Sequence, residues 1–323
     1  MRIHAPHDQL RPQLFRSPVA TLGVFDGVHR GHQHLIAELV AWRKALGDSE
    51  SVVITFREHP MAVLGHLPPA MLTSLEHRLV LLDRLGVDAA VVLNFDRTLA
   101  ELPAEDFTKR VIRDAIGCRH LLMGFDAAFG HGAKGTAEFL QGLPSLGVEV
   151  RRSSPYLLEG LPVSSTEVRK AVLKGQLEVA ARLLGRSVSI FGEVIHGDGR
   201  GRSLGFPTAN LNLFHSAAPP HGVYLARIQV AGTSFGGLVN IGRRPTFMRP
   251  DDPEDYSRYF NEQLDKIEVY VHKYSGDLYG QRIEAVLHGK LRDERRFENS
   301  TALVTQIRKD VAQLEAWLAG AGG

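Results

Sequence analysis

A glycine-rich loop followed by two polar side chains is the first stretch of this sequence that could do chemistry. Residues 197–204 hold three glycines and two arginines, and Thr208 and Asn210 lie just beyond them. Glycines let backbone N–H groups approach an anion, and side chains two positions apart on a strand share a face. Two such oxygens beside a bound phosphate could help to hold Mg²⁺. The competing interpretation is a polar surface turn, because glycine-rich turns are common.

A carboxylate later in the chain could supply a general base. Apolar and polar residues alternate over residues 267–272, so on a strand Glu268 shares a polar face with Tyr270 and His272. If that face lines a ligand site, Glu268 could take the proton of a hydroxyl group that attacks a phosphate. The alternative is an outward polar surface with no chemical role.

Two histidines stand where an apolar segment gives way to an amphipathic one. His29 and His32 follow the predicted strand over residues 20–25 and precede a helical pattern that ends near Gly47. A helix N-terminus offers N–H groups and a positive dipole end to a phosphate. Imidazoles there can donate hydrogen bonds as charge builds during displacement. The alternative is a turn that carries two solvated imidazoles.

Two further segments are expected at the same edge of this part of the chain. Residues 164–169 begin a helix with capping-box spacing, and they also hold three groups suited to phosphate, namely Ser165, Thr166 and Arg169. Residues 124–135 follow a strand and hold four glycines, aromatic residues and a lysine. This second segment could be a mobile connection, or it could line a flat ring and a phosphate.

The pattern of the elements changes near residue 186. Before it, apolar strands alternate with amphipathic helices, including helices predicted over residues 75–85 and 104–116, which indicates βαβ units and a parallel sheet. Such sheets bind ligands at the carboxyl ends of their strands. After it, short strands follow one another until a final helix over residues 300–318, which indicates an antiparallel barrel or sandwich. We predict two domains, 1–185 and 186–323.

Composition excludes several classes of protein. The chain has 323 residues, 44% of them apolar and 23% charged, as in ordinary globular proteins of two domains. A formal net charge of +2 gives no argument for nucleic acid or a membrane as a partner. The single cysteine, Cys118, excludes an intrachain disulfide and a cysteine-based zinc site. The sequence shows no signal peptide and no transmembrane run, so we expect a cytoplasmic protein.

Taken together, nine motifs in order resemble the bifunctional bacterial riboflavin kinase/FAD synthetase family. They cover nearly the whole chain: GVFDGVHRGH (23–32), ITFREHP (54–60), MGFDAAFGHGAKG (123–135), VSSTEVR (163–169), HGDGRGRSLGFPTANL (196–211), GVY (222–224), VNIGRRPTF (239–247), IEV with GDLYG (267–280) and LRDERRF (291–297).

The resemblance implies a fold and two reactions. The first half would be a Rossmann-like nucleotidyltransferase domain that joins FMN to the AMP portion of ATP and releases pyrophosphate. The second would be a riboflavin-kinase barrel with a C-terminal helix that transfers the γ-phosphoryl group of another ATP to riboflavin. ATP is then a substrate and Mg²⁺ the cofactor. The expected partners are riboflavin, FMN, FAD, ATP and pyrophosphate, bound by a monomer or a weakly self-associating protein.

The resemblance also assigns roles to individual residues. Glu268 would be the catalytic base of the kinase, Thr208 and Asn210 would hold the metal, and His29 and His32 would be the catalytic histidines of adenylyl transfer. Asp126 and Arg292 would contact the flavin. The nucleotide and its phosphates would be bound by Gly23, Phe25, Asp26, Gly31, Ser165, Thr166, Arg169, Gly199, Gly201 and Arg202.

Two other functions compete with the bifunctional enzyme. One is a riboflavin kinase whose first domain transfers little adenylyl group, because Ala127 and Ala128 stand where the family commonly has bulky or polar residues. The other is a flavin or nucleotide sensor without catalysis. The joint presence of Thr208, Asn210 and Glu268 disfavours a sensor, since a binding protein has no need of a base.

Overall fold

The chain folds into two compact units. The computed structural model describes residues 1–4, 15–65, 67–196, 201, 204–213, 217–242 and 266–320. One unit comprises Met1–Pro69 with Leu75–Ser165, and the other comprises Ala70–Ser74 with Thr166–Gly323. This division by contacts falls between Ser165 and Thr166. The domain boundary near residue 186, which follows from the change of pattern, stays a prediction.

The first unit is built on a six-stranded sheet in which every strand pairing is parallel. The strands lie in the order β1-β4-β3-β2-β5-β6, so the order reverses between β2 and β5. Ligands of such sheets bind at this switch point, beyond the carboxyl ends of the strands. The strands are β1 Arg2–His4, β2 Val19–Leu22, β3 Ser51–Phe56, β4 Ala89–Leu93, β5 His120–Met123 and β6 Glu149–Arg152.

Helices join these strands, as the βαβ pattern predicts. They are α1 Arg30–Ala45, α2 Pro60–Val63, α3 Leu75–Arg84, α4 Arg97–Glu101, α5 Ala104–Phe107 and α6 Ala137–Gln141, with single 3₁₀ turns at Asp26–Val28, His131–Ala133 and Pro144–Leu146. A small hairpin, β7 Leu157–Leu158 and β8 Leu161–Pro162, follows the sheet.

One helix departs from the prediction. The pattern over residues 104–116 forms an α-helix only to Phe107, and Thr108–Ala115 then winds as a π-helix. The Ile116 N–H accordingly donates to the Val111 carbonyl at 3.0 Å, five residues back. Both of those apolar side chains lie in the core of the unit, so the wider turn is part of the packed structure.

The second unit is a closed antiparallel barrel, which decides between the barrel and the sandwich that the sequence left open. Its strands pair in the order β10-β13-β12-β11-β14-β9. The elements are α7 Ser165–Leu173, α8 Leu177–Leu184, β9 Ser189–Ile195, β10 Thr208–Leu213, β11 Gly222–Val230, β12 Thr233–Gly242, β13 Lys266–Val271, β14 Arg282–Arg292 and α9 Ser300–Gly320.

The C-terminal helix α9 packs on the outside of the barrel. Its Leu314 is fully buried and forms a cluster with Val223 and Leu238, which face away from the barrel interior. Burial of a leucine side chain of this kind contributes about 1.5–3 kcal/mol. Tyr270 packs against the same cluster. The apolar residues of α9 are therefore packing surface, and they contact β12 through Leu238 and β13, the strand that carries Glu268, through Tyr270.

Candidate active sites

A row of three polar side chains crosses the outer face of the barrel. In the strand pairing, Glu268 on β13 lies opposite both Asn210 on β10 and Asn240 on β12. Along β13 its neighbours Ile267 and Val269 are buried in the barrel core, so Glu268 points outward. The predicted polar face of this strand is confirmed, and strand register brings it beside the polar face of β10.

Both oxygens of the Glu268 carboxylate have partners. Lys266 Nζ lies 3.0 Å from Oε1, and the Asn240 side-chain amide donates to Oε2 at 3.4 Å. Contacts to an ionised group hold it in one orientation. The side chain is nevertheless 27% exposed. The arrangement can therefore present a fixed carboxylate to a hydroxyl group that arrives from solvent.

Gly201, within the glycine-rich segment, lies against Thr208. The Phe206 N–H donates to the Gly201 carbonyl at 2.9 Å, and a Cβ at position 201 would stand 2.8 Å from Thr208 Oγ1. Only glycine therefore fits there. Thr208 itself is exposed and shares the outer face of β10 with Asn210. Gly199 and Arg202 lie outside the described residues.

Arg292, the predicted flavin contact, is held by the C-terminal helix. Its Nε donates to both carboxylate oxygens of Asp310, at 3.1 and 3.0 Å, and its Nη2 donates to Oδ2 at 2.8 Å. Asp310 is almost fully buried and also accepts a hydrogen bond from Gln306 at 2.7 Å. The contacts observed for Arg292 thus anchor the end of β14 to α9, and its role toward the flavin stays a prediction.

In the first unit, His29 and His32 come together at the N-terminus of α1. Their rings stack with centroids 3.7 Å apart and planes 18° apart. His29 caps the helix, since its Nδ1 accepts the His32 N–H at 3.4 Å. A Cβ at Gly31 would lie 3.1 Å from the His29 ring. The glycine between the two histidines is therefore what allows the first ring to fold back over the helix start.

The turn before His29 is tightly packed. Phe25 adopts a left-handed backbone with φ 54°, and its ring meets the His32 ring edge-on at 5.2 Å. A Cβ at Gly23 would lie 3.1 Å from the Phe25 ring. Asp26 is 3% exposed, and its carbonyl accepts the Ser165 hydroxyl at 2.9 Å. These contacts shape the turn at the sheet's switch point, and nucleotide binding by these residues stays a prediction.

His32 is held neutral. Burial lowers the pKa of its imidazole well below the ordinary value, and the nearby His29 and Arg78 lower this pKa further. The residue keeps some exposed surface, but its Nδ1 is buried and has no hydrogen-bond partner among the described residues. A neutral imidazole at a helix N-terminus can donate one hydrogen bond to a phosphate oxygen.

The segment predicted as a second phosphate motif opens α7. Ser165 uses its hydroxyl proton on the Asp26 carbonyl, within the first unit. Thr166 and Arg169 belong to the second unit, where the Arg169 Nε donates to the Ala70 carbonyl at 2.6 Å. Thr166 is exposed. The phosphate-binding role of these three residues stays a prediction.

The loop that carries Asp126 is anchored by its own backbone and packing. Phe129 and Gly135 exchange two backbone hydrogen bonds, of 3.3 and 2.9 Å. A Cβ at Gly130 would collide with Ala104, so this glycine serves close packing. Asp126 is exposed and follows β5, one of the two strands at the switch point. Its position is compatible with the predicted flavin contact.

Four residues near these sites received no role from the sequence, although one of them, Asn240, lies in the motif at residues 239–247. Asn240 and Lys266 contact the Glu268 carboxylate, Asp310 holds Arg292, and Arg78 stands near His32. For Asn240 a signal exists, because a polar residue between Val239 and Ile241 marks the outer face of a strand. Arg78 and Asp310 carry no such signal, since charged residues on amphipathic helices are normally solvated.

The described ranges hold neither a cluster of metal-ligating side chains nor a helix that could span a membrane. Residues 1–4, 15–65, 67–196, 201, 204–213, 217–242 and 266–320 contain no group of three or more His, Cys, Asp or Glu side chains that could hold a metal ion. No helix of this part of the chain has the length and apolar character needed to cross a membrane.

Known proteins match both units. The FAD synthetase family model matches residues 12–167, and the riboflavin kinase family model matches residues 184–318. A protein of Pseudomonas fluorescens named bifunctional riboflavin kinase/FMN adenylyltransferase is 39% identical over 309 residues, which are 95% of this chain and 94% of that protein. The chain belongs to this bifunctional family. A Bacillus subtilis protein of the same name is 34% identical over 96% of this chain and 95% of its own length.

The architecture also has a solved counterpart over its full length. A crystal structure titled macrolide-efflux protein from Streptococcus pneumoniae matches with a TM-score of 0.77 and 29% identity, and covers 98% of each chain. Its title names a different activity for that protein. The two family models and the named relatives agree with one another on flavin chemistry, so they decide the family, and this structure supports the shared fold.

Proposed function

We propose that this chain phosphorylates riboflavin to FMN with ATP, and then adenylylates FMN to FAD with a second ATP, releasing pyrophosphate. The main support for two activities is that each family model matches a different compact unit, and that each unit has its own cluster of polar side chains. The barrel unit holds the row Asn210–Glu268–Asn240. The parallel-sheet unit holds the His29–His32 stack at the switch point.

In the kinase reaction, Glu268 accepts the proton of the riboflavin hydroxyl as that hydroxyl attacks the γ-phosphorus of ATP, the bond from this phosphorus to the bridging oxygen breaks, and ADP leaves. A carboxylate is suited to this role when it lies within hydrogen-bond reach of the hydroxyl. Lys266 and Asn240 fix its two oxygens, so the base is oriented before the substrate arrives. No covalent enzyme intermediate is required, since positioning and charge stabilisation carry phosphoryl transfer.

The residues beside Glu268 fit a magnesium ion that is bound mainly through substrate. Thr208 and Asn210 offer neutral oxygens on one face of β10, and hard oxygen donors of this kind suit Mg²⁺. Mg²⁺ usually takes few protein ligands and completes its octahedron with phosphate oxygens and water. When bound, the ion neutralises charge on the transferring phosphoryl group. Thr208 and Asn210 would orient it together with ATP.

In adenylyl transfer, the phosphate of FMN attacks the α-phosphorus of ATP and pyrophosphate leaves. His29 and His32, at the N-terminus of α1, donate hydrogen bonds to phosphate oxygens as charge builds on them. The backbone N–H groups of the same turn add positive dipole ends. Gly23, Phe25, Asp26 and Gly31 shape this turn, and Asp126 would contact the flavin from the loop after β5.

The kinase-only alternative is less well supported than the bifunctional enzyme, because the named relatives carry both activities in their names and match over nearly the whole chain. Incubation of the protein with riboflavin, ATP and Mg²⁺, with FMN and FAD resolved over time, tests both activities. We expect FMN to appear first and FAD to follow. If FMN accumulates and supplied FMN yields no FAD above background, the adenylyltransferase assignment is wrong.

The remaining expectations concern surroundings rather than chemistry. We propose small molecules as the partners of this chain, with no part for nucleic acid or a membrane, and a monomer or weakly self-associating state in the cytoplasm. The near-neutral formal charge of +2 supports the first of these. Sedimentation at several protein concentrations measures the oligomeric state directly.

A further inference from the structure

A buried arginine lies beneath the adenylyltransferase turn. Arg78, on α3, is 2% exposed and is among the largest fully buried side chains of the described residues. Its Nη1 donates to the Val24 carbonyl and, at 3.1 Å, to Thr55 Oγ1. Its Nε is buried without a hydrogen-bond partner. Burial of a guanidinium with a donor left over is costly, so a simple packing role would be better served by an apolar residue.

The contacts of Arg78 lie where two central strands end. Val24 follows β2 and precedes the left-handed Phe25, while Thr55 lies at the carboxyl end of β3. The Thr55 hydroxyl also lies 3.3 Å from the same Val24 carbonyl. Arg78 and Thr55 together therefore fix the point at which the chain leaves β2 and enters the turn that leads to His29.

Arg78 also sets the charge of this turn. Burial lowers the pKa of its guanidinium to about 10, with Asp26 and Glu76 acting in the opposite direction, so it stays a cation at neutral pH. That cation and His29 are the charged or titratable groups that act on His32, and both disfavour a protonated imidazole there. One side chain thus affects both the geometry and the protonation of the histidine pair.

We propose that Arg78 is a positioning residue for adenylyl transfer, which holds the exit of β2 so that His29 and His32 face the phosphates in a fixed arrangement. The proposal rests on the proposed FAD-forming activity. It assigns no contact with substrate, because Arg78 is buried. A purely structural arginine would affect thermal stability and leave the pH profile of FAD formation in place, which separates the two roles.

The test compares three variants with the wild-type protein. Arg78→Met removes both the positive charge and the N–H donors of the guanidinium. Arg78→Lys keeps the charge but not the planar set of donors. Thr55→Val removes one hydrogen-bond acceptor at nearly constant side-chain volume. For each, kcat and KM of FAD formation from FMN and ATP are measured from pH 5 to 9. FMN formation from riboflavin, catalysed by the other unit, is the internal control for intact protein, and thermal unfolding is followed in parallel.

We expect Arg78→Met to lower kcat for FAD formation by about 10²-fold, the scale of a misplaced catalytic group, with FMN formation unchanged. The acid limb of the pH profile of FAD formation should move to higher pH in this variant, because His32 is then protonated more readily. Arg78→Lys should lower kcat less and leave the acid limb in place. Unchanged kcat and pH profile in Arg78→Met, or an equal loss of FMN formation, would overturn the proposal.

Thr55→Val decides the matter if Arg78→Met does not fold. A selective loss in FAD formation of about 3-fold or more, as for one lost hydrogen bond, supports the positioning role, and an unchanged kcat contradicts it. Wild-type protein that forms no FAD would instead refute adenylyl transfer itself, and the role of Arg78 with it.

Discussion

In the barrel, Asn210, Glu268 and Asn240 reach one site through strand register, and their side chains stay partly exposed. In the parallel-sheet unit, His29 and His32 reach theirs through a strained turn and a helix cap, on a base of buried polar groups. The first site lies on the outer surface of the barrel, and its side chains are not part of the barrel core. The second is part of the packing that holds the sheet edge together.

This difference separates activity from stability in one unit and couples them in the other. A side chain on an outer face can change with little effect on folding, because surface substitutions usually alter the free energy of unfolding by less than about 0.5 kcal/mol. A buried polar group carries desolvation costs that its partners offset, so its removal affects both. Substitutions in the barrel site should therefore change activity alone, whereas substitutions in the transferase site should change both activity and the free energy of unfolding.

The largest effect is expected in the barrel. Glu268→Gln removes the base and keeps the shape, so FMN formation should fall by about 10²–10⁴-fold, while unfolding changes little. FAD formation from supplied FMN should be retained. The matched control is Glu193→Gln, since Glu193 is a partly exposed carboxylate on β9 that pairs with Asn212. A Glu268→Gln protein with normal FMN formation would show that the base is elsewhere.

In the other unit, His29→Ala should lower FAD formation by about 10²–10³-fold, as for the loss of a donor to a charged transition state. It should also cost about 1 kcal/mol of unfolding free energy, because the helix cap is lost. His34→Ala, on the more exposed side of the same helix, is the control. FMN formation should be spared. An equal loss of both activities would mean that the two sites are not independent.

A smaller effect is expected at Asn240. Asn240→Ala removes the amide that orients Glu268, and a hydrogen bond to a charged group is worth enough to lower kcat for FMN formation by about 10-fold. KM for riboflavin and the stability should change little. Asn212→Ala, on the same outer face of β10, is the matched control. Equal kcat values for the two variants would remove Asn240 from the site.

The sequence predicted the parts of the kinase site better than their assembly. Alternation placed Thr208 and Asn210 on one face, and Glu268 on the polar face of its strand, because a strand's period is local. The pairing of Glu268 with Asn210 and Asn240 depends on contacts between distant segments. Periodicity does not encode which strands become neighbours.

For the transferase site, motif position predicted the histidine pair but not the buried residue that supports it. The histidine pair stands at a strand-to-helix turn, which apolar patterning reveals. Arg78 reads as one more charged residue of an amphipathic helix, and only the packing of α3 on the sheet turns it inward. The glycines of residues 124–135 left open a mobile connection or a ligand loop, and the structure shows that Gly130 serves close packing on Ala104. Glycine content alone does not distinguish these two uses.

The smallest effect concerns the pH dependence of stability. Because the folded state lowers the pKa of His32, the unfolded chain binds more protons below its ordinary pKa of about 6.5. Stability should therefore be full above that pH and fall as the pH drops toward the folded value, by at most about 1.4 kcal/mol per pH unit from this group. Urea unfolding of the wild type and of His32→Gln at pH 5.5 and 7.5 measures the difference.

The substitution should flatten this slope relative to the wild type. If His32→Gln and wild type lose stability in parallel, His32 is not held neutral by its surroundings. Burial would then not couple the transferase site to the stability of its unit, and the contrast between the two units would be lost.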